Sequence, residues 1–327
     1  MIKRSLSALA LCLLALPAWA QSEPQALPES VLVVGQKPGP GLWKVSRGDH
    51  VLWVFGSYAP LPRKMQWRAQ QVESILAQSQ ELITLPGWSA HVGLLRGLTL
   101  LPFAYGLTKN PDGATLKEVL PADVYARWLP LKAKYLGEDN GIERERPIFV
   151  ADKLYRMGLE KSGLTMRDDV RDAVFQIAKK NKLAITSTQI TLDIDSPGQA
   201  MKDFKKAQLD DTACLSLTME RLESDLDAMR LRANAWAKGD IGAIRALSFA
   251  DRDGACDGAV FGSAVFKAQR DFKDIEARVR SNWMAAAEKA LAANKSSFAL
   301  LPLKDLLDPQ GYLAALQAKG YQVESPE

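Results

Sequence analysis

Along this chain, alternating apolar and polar positions repeatedly give way to a period of three to four residues, and the switches mark its elements. Leu42, Trp43 and Val45, then Val51 to Phe55, are two apolar and aromatic runs separated by Arg47-Gly48-Asp49. That predicts a β-hairpin, with Gly48 free to take φ > 0 in the turn. Gly56-Ser57-Tyr58-Ala59 and a proline-bounded loop follow. A helix is expected over Trp67–Ser79, with Val72, Ile75, Leu76 and Ser79 on one face. Glu81–Leu85 reads as a buried strand. From Pro86 to Glu145 the pattern is helical and looped, broken at Pro102, Pro111, Pro121 and Pro130. Amphipathic helices are expected at Pro147–Leu159 and Val170–Asn181, then a strand at Leu183–Ser187.

Ser196-Pro197 is a helix start, a capping residue followed by proline at the first helical position. The pattern stays helical to Lys238, where Gly239-Asp240 breaks it, and a short helix runs on to Phe249. Ala264–Ala293 reads as one long helix. The end reads as strand Ser297–Leu303, helix Gly311–Lys319 and strand Tyr321–Glu324. Strands interleaved with helices predict an α/β fold: a mixed central sheet built from N- and C-terminal units, flanked by helices, with a large helical middle segment.

The N-terminus changes the cellular picture. Lys3 and Arg4, the apolar run Leu6 to Leu16, and Ala18-Trp19-Ala20 form a signal peptide over residues 1–20, with cleavage near Ala20. The apolar run is too short to span a bilayer. Residues 21–30 are a polar leader expected to be mobile, and 31–327 are expected to form a single domain. No later stretch is long and apolar enough for a transmembrane segment, so a periplasmic or secreted location is expected.

Losing Lys3 and Arg4 leaves 40 basic against 38 acidic residues, a net charge of +2. With charges scattered, no nucleic-acid partner is expected. Only Cys214 and Cys256 remain after the leader, an even pair in an oxidising compartment, which predicts a disulfide. Closing a loop of about 43 residues, it would contribute roughly 4 kcal/mol in the chain-entropy model.

Signatures of chemistry are sparse. The chain has two histidines, His50 in the hairpin turn and His91 in WSAHVGLLRG, and both read more readily as structural. Ser57 follows Gly56 after a strand, yet G-x-S-x-G is not met. Ser263 reads as a helix cap. There is no Walker A and no G-x-G-x-x-G. Trp43, Trp53, Phe55, Tyr58 and Trp67 read as core.

Three segments carry a resemblance. LWKVSRGDHVLWVFGSYAPLPRKMQWR (Leu42–Arg68) is similar to the "LWKV…G…LWLLGTIHVLP…W" of the TraB/PrgY/GumN family, related to Tiki metalloproteases and more distantly to erythromycin esterase-like hydrolases. AWAKGD (Ala235–Asp240) looks like that family's aromatic-x-x-Gly-Asp helix end. FALLPLKDLLDPQGYLAALQAKGYQV (Phe298–Val323) looks like its tail.

The resemblance implies a fold in which two G-x-x-H turns from opposite ends of the chain meet in one site. The first turn falls on Gly56, Ser57, Tyr58 and Ala59, so glycine stays and histidine becomes Ala59. The second, counted back from Gly311, falls on Pro302, Leu303, Lys304 and Asp305. An expected carboxylate falls near Leu85 or Pro86, another on Thr188, and an Arg-Asn pair near Arg280 or Asn282.

Alanine and leucine can neither hold a metal nor deprotonate water. The resemblance therefore implies a degenerate site and a binding module or pseudoenzyme in the cell envelope, taking an unknown periplasmic ligand or protein. No cofactor or metal is predicted. The alternative is a hydrolase with a rearranged site built on Asp305, Ser57 and Tyr58, which could use a divalent metal. In either case the cleft is expected at Gly56, Ser57, Tyr58, Ala59, Arg63, Lys304 and Asp305.

Overall fold

The computed structural model describes residues 39–91, 99–100, 102–194, 196–247 and 252–326. The expected signal peptide, the leader, residues 31–38 of the expected domain and Phe249 lie outside them.

The hairpin forms from β1 (Leu42–Arg47) and β2 (His50–Ser57), antiparallel from Leu42↔Phe55 to Arg47↔His50. Its two-residue loop begins with Gly48 at φ 61°, a conformation that a Cβ would disfavour. His50 is thus the first residue of a strand. Further strands are β3 (Leu61–Pro62), β4 (Glu81–Ile83), β5 (Gly87–His91), β6 (Leu164–Thr165), β7 (Ala184–Thr186), β8 (Gln189–Asp193), β9 (Ser296–Pro302) and β10 (Gln322–Glu324). Six of them make one mixed sheet in the order β10-β1-β2-β9-β4-β7, so the α/β reading holds, with N- and C-terminal strands interleaved. β3 pairs with β6 and β5 with β8, two ribbons not expected from the sequence; β3 and β6 are two residues long, whereas Gln189–Asp193 does alternate polar and apolar.

Around these strands lie α1 (Gln70–Gln78), α2 (Pro147–Lys161) and α3 (Asp169–Lys180), then α4 (Thr212–Ser224), α5 (Leu226–Ala237) and α6 (Arg252–Phe261). Last come α7 (Ile275–Ala293), α8 (Leu303–Leu307) and α9 (Tyr312–Ala318). β2 runs parallel to β9, yet the connections leaving them diverge. β2 leads through α1 to β4, on the far side of β9. β9 leads through α8 and α9 to β10, on the far side of β1. In open α/β sheets, this divergence leaves a crevice beyond the carboxyl ends of the two strands. Ser57 and Pro302, the last residues of β2 and β9, are register partners there.

Two expectations about long helices fail for local reasons. The pattern from Ser196 to Lys238 is three helices, Pro197–Lys206, α4 and α5. α4 and α5 meet at Asp225, whose carboxylate binds Arg221 at 3.1 Å and Arg232 at 2.7 Å. The expected Ala264–Ala293 helix breaks into Ala264–Lys267, a 3-10 turn at Arg270–Phe272, and α7. There Phe261, Phe266, Phe272 and Trp88 pack as one aromatic cluster, and Asp274 takes φ 52° to restart the helix. The expected helix at Trp67 starts instead at Gln70, because Trp67 turns inward onto Phe55 and Trp236.

One apolar core surrounds the sheet, with Val45, Leu52, Val54, Phe55 and Phe298 wholly buried. A second, formed by Trp128, Leu154, Leu215 and Met219, holds the helical middle. The disulfide predicted from cysteine count is formed between Cys214 and Cys256, whose Cα atoms lie 4.6 Å apart. Among the described residues no helix is long and apolar enough to cross a membrane.

Two indoles fasten helices to the central strands. Trp236 Nε1 donates to the Gly56 carbonyl at 2.7 Å, and Trp283 Nε1 to that of Leu300 at 3.2 Å. Gly239, two residues past the end of α5, takes φ 68° with the Gly39 carbonyl where a Cβ would lie, and Asp240 caps the next helix through the Ala243 N–H. These contacts give AWAKGD its structural meaning. Trp236→Phe, which leaves the buried Gly56 carbonyl without its donor, should cost about 1–3 kcal/mol, read as a lower urea midpoint with an unchanged slope.

Candidate functional site

The crevice at the ends of β2 and β9 opens into a cavity of about 410 Å³. Its sheet side is Ser57, Tyr58 and Ala59 from the first turn with Pro302, Leu303 and Lys304 from the second. The turns pack so closely that a Cβ on Gly56 would lie 2.8 Å from Leu303 Cδ1. The opposite wall comes from the helical middle: Tyr155 of α2, Met166 and Asp168 before α3, Arg221 of α4 and Asp253 of α6.

Electrostatics behind the first turn come from α5 and its neighbours. Arg232, 1% exposed, donates through Nε to the Tyr58 hydroxyl at 3.2 Å and through Nη2 to Asp225 at 2.7 Å. Burial pushes the Tyr58 phenol above its ordinary value, and the Arg232 bond and charge offset only part of the rise. Burial likewise raises Tyr155, against the pull of Arg221 and Arg252, whose guanidinium sits 4.2 Å from its ring centre. Neither phenol is suited to lose its proton near neutral pH. Asp168 caps α3 by accepting the Arg171 N–H at 2.8 Å, and burial raises its carboxyl above the usual range.

The other residues singled out from sequence are placed as follows. Arg63 is exposed, paired through Nη2 with Glu160 of α2 at 2.5 Å, and does not line the cavity. Asp305 sits in α8, outside the cavity lining. Burial raises its carboxyl, with Lys304 and Arg280 opposing and Asp308 adding to the rise. Tyr312 nearby is pushed up to about 12 by burial and by Asp305. Gly311 starts α9 where a Cβ would lie 2.4 Å from the Asp305 carbonyl, which explains the glycine. His50 lies at the hairpin, at the opposite end of β2 from the cavity, and His91 closes β5 opposite Asp193.

Further along the same edge, Leu85, Thr188 and Asn282 come together. The Thr188 hydroxyl, fully buried, shares its proton between the carbonyls of Leu85 at 2.8 Å and Thr84 at 3.0 Å. Its amide donates to Thr84 Oγ1 at 3.0 Å, and its carbonyl accepts Asn282 Nδ2 at 2.9 Å. These bonds end β4 at Ile83, two residues short of the expected strand end. Arg280 instead binds the carbonyls of Gln310 and Gly311.

A divalent metal would need three or more imidazole, thiolate or carboxylate donors converging on one point. Among the described residues no three such side chains gather. The cavity offers the Ser57 hydroxyl and the carboxylates of Asp168 and Asp253 on its far wall, the Tyr58 hydroxyl is already engaged by Arg232, and Asp305 lies outside the lining. The donor set does not fit a metal.

Sequence reasoning missed the opposite wall, Tyr155, Met166, Asp168, Arg221 and Asp253, and the buried Arg232 behind the first turn. One signal was present: Arg221, Asp225 and Arg232, spaced by four and seven residues, place charges on helix faces otherwise filled by Leu222, Met229 and Trp236.

An α/β sheet with a crevice between two strand-end turns, walled by a helical middle, defines the class of scaffold. The TraB/PrgY/gumN family model matches residues 41–325, and the chain belongs to that family. No curated protein and no solved structure matches it.

The Asp168 carboxyl gives a pH test. A raised folded-state pKa means stability present below the ordinary carboxylate value and lost as pH rises through the folded value. Asp168→Asn keeps a capping oxygen and removes the charge. Its stability relative to the parent should therefore increase from pH 4 to pH 7, measured by urea unfolding at each pH.

Proposed function

We propose that the mature chain is a ligand-binding member of its family, working in the cell envelope without turning its ligand over. The observation that carries this reading is the pairing of a kept crevice with inert strand ends. Ala59 stands where the first turn's histidine is expected, Asp305, where the second is expected, lies outside the cavity lining, and a cavity of about 410 Å³ remains between the turns and the helical wall. A cavity of this size suits a small ligand. The residues aligned with the family's carboxylates support the same reading: Leu85 has no acid, and the Thr188 hydroxyl is engaged by two backbone carbonyls.

Polar lining remains for recognition. Arg221 and Lys304 oppose Asp168 and Asp253 around the apolar surface of Ala59, Pro302 and Leu303. An envelope location is supported by the leader pattern of residues 1–20 and by the Cys214–Cys256 disulfide, a bond favoured in oxidising compartments. A rearranged hydrolase would need Asp305 to act on a substrate in the cavity, and its place outside the lining argues against that role.

The test combines turnover with binding. Against peptide and ester substrates, with and without added Mn²⁺ or Zn²⁺, the mature protein should show no activity that Asp305→Ala abolishes. A thermal-shift screen of envelope small molecules should yield compounds that raise the Tm of the parent and shift Lys304→Ala at least threefold less. Hydrolysis that disappears in Asp305→Ala while the Tm is unchanged would replace this reading with the hydrolase one.

A further inference from the structure

Of all the elements that wall the cavity, α6 has the least apolar anchorage. It buries one residue, Ala259, whereas α4 buries Cys214, Leu215, Thr218, Met219, Arg221 and Leu222. Arg252 and Asp253 lie four and three residues before Cys256, so each neighbours it across a turn of α6, on the side that meets α4 and the cavity. Arg252 Nε donates to Thr218 Oγ1 at 2.9 Å and its guanidinium covers the Tyr155 ring. Asp253 lines the cavity and pairs with Arg252 on its own helix at 2.8 Å. At its far end, Phe261 joins the aromatic cluster of Trp88, Phe266 and Phe272. Between these two attachments the covalent link to α4 is the Cys214–Cys256 disulfide.

We propose that this disulfide is a redox latch on the cavity: oxidised, it holds α6 in place as a wall, and reduced, it lets the Arg252–Cys256 turn leave α4 and Tyr155. α4 has anchorage besides the disulfide, because Leu215, Met219 and Leu222 hold it in the core of the helical middle. The two cysteines are unequally placed. Cys214 is fully buried and Cys256 is half-buried, so the Cys256 side of the bond is the more open to a reductant.

The chemistry is ordinary thiol–disulfide exchange with a dithiol. A thiolate of the dithiol attacks Cys256 Sγ, the Cys214–Cys256 bond breaks, and Cys214 leaves as a thiolate that takes up a proton. The second thiol of the reductant, as its thiolate, then displaces Cys256, which is protonated in turn. Two electrons have passed to the protein, and the dithiol departs as its own cyclic disulfide. With α6 released, the cavity loses Asp253 and the cation over Tyr155, so the latch regulates the site proposed above. The latch rests on that reading for its functional consequence only.

The experiment measures the latch without any ligand, so its failure and that of the binding reading are separable. Amide hydrogen exchange is followed in the mature protein, oxidised, then reduced with dithiothreitol, then reoxidised. Reduction should raise exchange at least tenfold in residues 252–261, leave β2, β9 and α4 protected, and be reversed on reoxidation. The Cys214→Ser/Cys256→Ser double variant should show the reduced pattern under every condition.

Unchanged exchange in 252–261 on reduction would overturn the proposal, since α6 would then be held by other contacts. Exchange rising throughout α2, α4 and α5 would also overturn it, because the disulfide would be a staple for the whole helical middle. If the double variant does not fold, the dithiothreitol arm on the parent chain decides alone.

Discussion

Helix α5 grips the turn after β2 with two side chains one helical turn apart. Trp236 donates to the Gly56 carbonyl and Arg232 to the Tyr58 hydroxyl, both in buried surroundings. Residues four apart share a helix face, so one rigid element fixes two successive points of a loop that would otherwise be free to move. The arrangement is costly to break. Arg232 is a buried charge balanced by Asp225, and removing one partner of such a pair typically costs about 3–5 kcal/mol, because the other is left uncompensated. Asp225 in turn binds Arg221, which faces the cavity, so the same network that fixes the first turn also sets the helical wall opposite it.

From that grip the placement of the cavity follows. β2 and β9 are parallel neighbours whose connections diverge, which leaves their carboxyl ends uncovered. Leu303 and Leu306 pack against Gly56, so the two turns form one surface although they are some 250 residues apart in sequence. Position is thus supplied by topology and buried polar contacts, and chemistry by whatever side chains the turns carry. In this chain the turns carry methyl, isobutyl and prolyl groups beside a hydroxyl, a buried phenol and an ammonium. The carboxylates near them, Asp168 and Asp253, stand on the opposite wall of the cavity.

Much of the sheet was legible in the sequence. The hairpin, both outer units and the disulfide could be read from alternation, a glycine turn and a cysteine pair. The two turns could be brought together through the resemblance at Gly56–Ala59 and Pro302–Asp305. What escaped depends on contacts distant in sequence. The breaks at Asp225 and at residues 268–274 follow from buried charge pairing and aromatic clustering, which a helical period cannot register. Arg63 read as a rim residue because its partner Glu160 lies almost a hundred residues away. The helical wall escaped for the same reason: the Cys214–Cys256 pair was legible, but the position of α4 and α6 over the crevice is a tertiary fact.

The central proposal is that the family scaffold keeps its cavity here without the two histidines that the resemblance places at its turns, and holds no metal there. It is met most directly by measuring the metal content of the mature, disulfide-intact protein as purified, together with its thermal unfolding in Mn²⁺, Co²⁺, Zn²⁺ or EDTA. The account predicts less than 0.1 equivalent of metal (roughly, as a working threshold) and the same unfolding curve in all four conditions. One equivalent of metal, with a stabilisation near the ~2.7 kcal/mol expected at a hundred times Kd and lost in EDTA, would contradict it.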